Sequence, residues 1–241
     1  MRKENKIFNK IYEGNNNTCK IENLKPKTNY EFRIRSLYND CYGSWTDIKK
    51  IKTDDYFVID SNILIESKRE KEFSLKLLEW SRYKKIELIY RGSRDRALSK
   101  NFHEKCDKQG PTITLIKNEK GNIFGGFSSV SWASLGDYKQ APNPFLFSLT
   151  NIYGINPTKF PLKNNNDSCW IYDGSTYCPI FGQSLHDLDV RNDFFNNNVY
   201  SGFPNTYEDN IGKGKSIFTG DTNNNTTDFK VNEIEVFKLY R

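Results

Sequence analysis

Apolar and polar positions along this 241-residue chain alternate with a period of two more often than with a helical period. Tyr30-x-Phe32-x-Ile34-x-Ser36 is a strict alternation, which marks a half-buried strand. Ile21-x-x-Leu24 leads into it, and residues 7–12 offer an earlier strand. Pro26 and Thr28 sit in the turn before it, and Gly43 breaks the chain ahead of residues 45–53, where Ile48 and Ile51 lie among lysines. The period then changes. Asp60-Ser61-Asn62 offers helix caps ahead of Ile63-Leu64-Ile65, and Phe73, Leu77 and Trp80 at i, i+4, i+7 predict an amphipathic helix over 70–82. A strand is expected at 86–90. A second helix starts near 93–95, buries Leu98, Phe102 and Cys106, and stops at Gly110-Pro111. Residues 112–117 and 123–127 read as a hairpin across a polar turn. Glycines within its second strand, Gly125-Gly126, signal a bulge or a close backbone approach. Short strands follow at 145–149, 169–172, 177–181 and 188–190. The longest, 229–240, shifts its apolar phase between Val231 and Ile234, which predicts a bulge. Asparagine runs beginning at Asn15, Asn164, Asn196 and Asn223 fall between these segments as loops.

Two resemblances organise this pattern. Leu24-x-Pro26-x-Thr28-x-Tyr30-x-Phe32-Arg33-Ile34 resembles the corner between the fifth and sixth strands of a fibronectin type III domain, and Gly43-x-Trp45 with Lys52-Thr53 resembles its last strand. Only the second half of such a sandwich is covered, so residues 1–55 are expected to be an incomplete segment of that type.

Residues 60–239 resemble a TLDc domain. The matching phrases are Leu88-x-Tyr90-Arg91-Gly92-Ser93-Arg94-Asp95, Phe102-His103-x-x-Cys106-Asp107-x-x-Gly110-Pro111-Thr112, Phe124-Gly125-Gly126-Phe127 and Phe229-x-Val231-x-Glu233-Ile234-Glu235-Val236-Phe237. The resemblance implies a mainly β (α+β) domain over 56–241, a sandwich flanked by short helices, without an established catalytic centre or cofactor. It further implies an interaction module connected with resistance to oxidative damage and with binding to the vacuolar proton pump. Two departures stand out. Arg96 occupies a position where the family has glycine, which is costly if the turn needs positive φ. The family's glycine-rich stretch is Phe181-Gly182-Gln183-Ser184-Leu185-His186-Asp187 here, so a stiffer or reshaped loop is expected.

Charge and cysteine content narrow the function classes. The net charge of +6 comes from 36 basic and 30 acidic residues, mixed along the chain. A protein built to grip nucleic acid concentrates its basic residues instead. No apolar run approaches the ~18 residues that span a bilayer. MRKENKIFNK lacks the apolar core of a secretory leader. The five cysteines include no C-x-x-C pair, which fits an intracellular, reduced chain.

The candidate chemistry lies between Leu88 and Trp132. His103 and Cys106, three apart on a helix, could form a thiolate and its base, in a hydrolase or a redox-active protein. The bland alternative is a buried thiol on the helix stripe. Cys169 and Cys178 could meet across neighbouring strands, or stay as unpaired buried thiols. Two histidines without ligand spacing make no metal site. Gly212-Lys213-Gly214-Lys215-Ser216 lacks the first glycine of a phosphate loop, Asp209 standing there. Arg91 and Arg94 flank a turn closed by Asp95. Either they meet an anionic partner, with His103 and Glu104 beside them, or an arginine pairs with a buried carboxylate and fixes the corner.

Overall fold

The computed structural model describes residues 8–14, 16, 19, 21, 24, 28–53, 59–163, 170–223 and 225–241. The expected turn at Pro26, the loops at Asn15 and Asn164, and Cys169 lie outside them. The chain divides into two compact units, Met1–Val58 and Ile59–Arg241.

In the first unit, β1 (Asn29–Phe32) pairs antiparallel with β4 (Lys49–Lys52), and β2 (Leu37–Tyr38) pairs with β3 (Cys41–Tyr42). Between them the Ile34 carbonyl accepts from the Thr46 N–H at 2.8 Å and the Ser36 carbonyl from the Gly43 N–H at 3.0 Å. These are rungs of one long hairpin. Asn39 and Asp40 turn its tip with φ of 45° and 58°, a left-handed pair that asparagine and aspartate tolerate. The alternation foretold the pairing but not the burial: Ile34 is 72 % exposed. Residues 8–12 form no strand, contrary to expectation.

The second unit opens with α1 (Asn62–Glu66), α2 (Glu70–Ser81), β5 (Lys85–Arg91), α3 (Gly92–Asp95) and α4 (Ser99–Cys106). Then come β6 (Thr112–Asn118), β7 (Ile123–Ser128), β8 (Tyr138–Gln140), β9 (Phe145–Thr150) and β10 (Thr158–Pro161). The chain continues through β11 (Trp170–Tyr172), β12 (Tyr177–Phe181), β13 (Leu188–Arg191) and β14 (Val199–Tyr200). It closes with α5 (Ser216–Thr219), β15 (Asp228–Phe229) and β16 (Val231–Tyr240). Two six-stranded sheets result, ordered β10-β9-β7-β6-β16-β5 and β15-β14-β13-β12-β11-β8. The domain is mainly β, as expected. No helix among the described residues is long and apolar enough to cross a membrane.

Alternation explains the layers. Ile116, Phe124, Leu146, Ile234 and Val236 of the first sheet share one buried cluster with Ile171, Phe181, Leu188 and Val190 of the second. The first sheet's other face is buried too, because Ile113, Leu115, Phe145 and Phe147 are shielded on that side. There α2 lays Trp80 against Phe145 and Phe147, with ring centroids 6.4 and 6.2 Å apart. The expected bulge in the last strand is present, as a register shift between Val231 and Glu233 against β6.

The second helix departs from expectation at both ends. It is two pieces. Arg96 breaks it with φ 76°, and Leu98 is the extended residue before α4, 36 % exposed. The buried stripe is therefore Ser99, Phe102, His103 and Cys106. The stop comes at Cys106 rather than at Gly110. Asp107 turns extended and bridges to Trp132, and Lys108 takes φ 59°.

The two strand glycines are close approaches, each on a different face. A Cβ on Gly126 would lie 2.7 Å from the Phe181 ring, whereas one on Gly125 would lie 1.8 Å from the Thr114 carbonyl oxygen. A ring can shift, but a ladder carbonyl cannot move without opening the β6–β7 pairing. Gly126→Ala is expected to cost about 1–3 kcal/mol as overpacking, and Gly125→Ala more. Urea denaturation midpoints of the two variants check that order.

Candidate functional site

The charged corner is built around the last strand. Glu233 and Glu235 fall on the same face of β16 as the buried Phe237 and Leu239, so both carboxylates point beneath covering structure. Glu235 is wholly buried. Its Oε2 accepts from Ser61 Oγ at 2.5 Å and its Oε1 from the Asn62 N–H at 2.9 Å. Ser61 also caps α1 by accepting from the Leu64 N–H at 3.0 Å. Arg91, directly opposite Glu235 in the β5–β16 register, donates from Nε to Glu235 Oε1 at 2.8 Å. Its Nη2 donates to Asp60 Oδ1 at 2.9 Å. Burial pushes the Glu235 carboxyl up, and the Ser61 hydroxyl, Arg91 and the Asn62 N–H pull it back only in part. Burial opposes the Arg91 charge, but Asp60 and Glu235 outweigh it and hold the guanidinium above its ordinary value. The arginine is thus firmly a cation, while its carboxylate remains the strained partner.

Around this pair the turn is fixed atom by atom. Asp95 Oδ2 accepts from the Arg91 N–H at 2.9 Å and pairs with Arg94 Nη2 at 2.7 Å. Burial works against the Asp95 charge, yet the Arg94 and Arg91 donors hold its carboxyl below the usual value. Glu233 receives the Ser93 N–H at 3.2 Å and the Ser93 hydroxyl. Gly92 is required here: an added Cβ would lie 2.6 Å from the Phe194 ring. Tyr90 donates its hydroxyl to the Arg96 carbonyl at 2.8 Å, which pins the residue at φ 76°, ψ 145°.

Among the sequence-predicted residues, Arg91 and His103 are buried and committed to internal bonds, whereas Arg94 and Glu104 are exposed. His103 Nδ1 lies 2.8 Å from Asp107 Oδ1, and Nε2 lies 2.9 Å from the Tyr177 carbonyl and 3.1 Å from that of Gly174. Each ring nitrogen is turned to an oxygen, so neither is directed at Cys106. Cys106 itself is wholly buried. Burial pushes its thiol well above the ordinary value, and Asp107 and Cys178 add to the effect. Cys178 is buried and likewise raised, mainly by burial.

Sequence reasoning missed Asp173 and Lys139. Asp173 Oδ1 accepts from the Ala133 and Ser134 N–H groups at 2.8 and 2.9 Å, and Ser134 Oγ donates to Asp107 Oδ2 at 2.6 Å. His103, Asp107 and Asp173 bring three potential metal-ligand atoms within 4.8 Å of one another. However, Asp173 Oδ2 already faces the Lys139 ammonium, and His103 is spent on carbonyls. The cluster ties α4 to the loop before β8 and to the β11–β12 turn.

The loop without the family's glycines takes left-handed backbone regardless, with φ of 47° at Ser184 and 32° at His186. His186 Nε2 meets the Tyr138 hydroxyl at 3.0 Å, and its ring stacks on Tyr172. Asp187 collects the N–H groups of Asn205 and Thr206 at 2.7 and 2.8 Å.

Sandwich, covered sheet and locked corner together define a mainly β domain. A model of the TLDc domain matches residues 58–240, and the chain belongs to the TLDc-domain family. Over 44 residues it is 48 % identical to the MTOR-associated protein MEAK7 of Danio rerio, a stretch that is 18 % of this chain and 10 % of that protein. That match therefore spans only a small part of the relative's length.

Two substitutions test the corner. Arg91→Met leaves Glu235 buried without its cation and is expected to lower stability by about 3–5 kcal/mol. Arg96→Gly relieves a backbone that glycine adopts freely and is expected to raise stability by about 1 kcal/mol, after allowing for glycine's greater unfolded-state freedom. Chemical denaturation at one pH checks both signs.

Proposed function

We propose that the TLDc domain is a non-enzymatic interaction module that works by binding a protein complex. The observation that carries this reading is the state of His103 and Cys106. The thiol is buried with its pKa raised, and the ring is turned onto Asp107 and two backbone carbonyls, so no thiolate–base pair is assembled. The family's general lack of enzymatic activity agrees with it. The vacuolar proton pump is the favoured partner and resistance to oxidative damage the favoured process, both inferred from the family. The likeness to a protein named for its association with MTOR supports a role within assemblies.

On this reading Arg94 and Glu104 meet the partner, and Arg91 and His103 position that surface from below. The protein works inside the cell, with reduced thiols, and without nucleic acid or cofactor. The hairpin of the first unit serves as the second half of a fibronectin type III sandwich, a spacer through about residue 55. Its β1–β4 pairing and the stacking of Tyr30 on Phe32 at 6.2 Å fit that assignment.

A thiol reagent applied to the native protein is expected to leave Cys106 unmodified while labelling the exposed Cys19 and Cys41. Rapid labelling of Cys106 would revive the enzyme reading. Affinity capture from cell extract is expected to enrich proton-pump subunits. Capture with Arg94→Glu should lose most of that enrichment, and capture that never contains pump subunits removes the pump as partner.

A further inference from the structure

The second sheet carries a polar cleft of about 810 Å³ on its outer side, away from the charged corner's buried pair. Tyr177, Asp189, Arg191, Asn197, Asn198 and Asp228 are among its lining residues. Strand register explains the grouping. Asp189 of β13 lies opposite Tyr200 of β14, and Tyr200 lies opposite Asp228 of β15. The three therefore form one cross-strand row, carboxylate–phenol–carboxylate, on one face. That face is the outer one, because Leu188, Val190 and Val199 point into the core.

Asp189 is the unusual member. Its side chain is only 8 % exposed, and among the described residues its Oδ1 has no hydrogen-bond partner. Oδ2 is only loosely held, 3.5 Å from His186 Nδ1 and 3.6 Å from Arg191 Nε. Charge-assisted bonds run at about 2.7–2.9 Å, so Arg191 is near without closing the pair. Its guanidinium stands 6.0 Å from the Tyr200 ring centroid and its side chain is 48 % exposed. A buried carboxylate with one bare oxygen calls for a donor. Two carboxylates on one wall, Asp189 and Asp228, make a seat for a planar cation that donates to both. The Tyr200 ring between their strands is faced by Arg191 and lies outside the lining. Asn198 adds an amide group at the cleft wall that suits a peptide backbone, while Asn197 Nδ2 donates to the Asn192 carbonyl at 2.9 Å.

We propose that this cleft receives the arginine side chain of a peptide segment in a protein partner. Asp189 and Asp228 bind the guanidinium, and Arg191 competes for the same seat. Such an occupant presupposes the interaction-module reading above and names the chemistry its partner presents.

The probe is the peptide acetyl-Gly-Arg-Gly-amide, titrated into the whole chain and followed by amide chemical shifts. Saturable shifts are expected at Tyr177, Arg191, Asn197 and Asn198, with affinity in the millimolar range. Replacing the probe's arginine by the uncharged isostere citrulline, or Asp189 by Asn, should weaken binding about tenfold. Arg191→Ala should tighten it about threefold by removing the competitor. Should Asp189→Asn fail to fold, the half-buried Asp228→Asn carries the same test, with a loss of about threefold expected. No saturable shift up to about 20 mM probe overturns the proposal. Equal binding of the citrulline peptide, or weaker binding by Arg191→Ala, also overturns it. Free arginine binding as well as the peptide overturns the peptide assignment in favour of a small-molecule site. A silent cleft beside intact capture of a protein complex discards the arginine seat and keeps the module. A responsive cleft without any captured complex does the reverse.

Discussion

The buried pair of Glu235 and Arg91 is the constraint on which the domain's architecture rests. A carboxylate wholly removed from water is costly, and a guanidinium at 2.8 Å offsets that cost only if the remaining lone pairs are filled. Here Ser61 and the first N–H of α1 fill them. The requirement therefore reaches across the chain. Residues 60–62 must fold over residue 235, and residue 91 must stand beside it in register. The last strand cannot be removed, or slipped by one residue, without exposing this carboxylate or orphaning the arginine. Asp60, Ser61, Arg91 and Glu235 thus close the domain from its first helix to its last strand.

Much of this was legible in the sequence, for a physical reason. Short apolar runs bounded by turn residues announce buried strands, and β5, β6, β7, β9, β12 and β16 lie where such runs stand. Phe73 and Leu77 did the same for α2. The bulge in β16 was visible as a phase slip, and the Gly125-Gly126 pair as a close approach. What period could not show was the second cover. Glu233 and Glu235 alternate with Ile234 and Val236, and alternation alone assigns such acids to an open face. The available signal lay further along, because Phe237 and Leu239 share their phase. An apolar run continuing the acids' face means that the face is covered, and acids on it must be paired.

The second helix illustrates a different limit. Its apolar spacing ran smoothly from Leu98 to Cys106, yet the helix starts afresh at Ser99. Tyr90 holds the Arg96 carbonyl, and the chain accepts a left-handed residue that glycine would fill without strain. At the other end, Asp107 is drawn toward His103 and Ser134, and this leaves Gly110 with a turn rather than a helix to finish. In both places a side-chain hydrogen bond outside the helix decided the boundary, and no periodicity encodes such a bond.

The same bookkeeping of polar groups separates structure from function. His103 and Arg91 looked chemical because they are charged or titratable, and Asp173 and Asp187 are buried acids of the same domain. Each is consumed by internal partners, and a group whose donors and acceptors are all engaged has nothing left for a substrate. Groups not consumed in this way are the informative ones. Arg94 gives Asp95 one edge of its guanidinium and shows the rest to solvent, and Glu104 stands exposed on α4. Asp189 keeps a bare buried oxygen in a cleft that Asn192 also lines. The Asn192 side-chain carbonyl accepts from the Ser99 N–H at 2.8 Å, so the cleft adjoins the start of α4. The cleft wall is thereby tied to the segment that leads from the corner into α4. A partner presenting an anion to Arg94 and a cation to Asp189 would satisfy both at once, whereas one of uniform charge would meet repulsion at one of them.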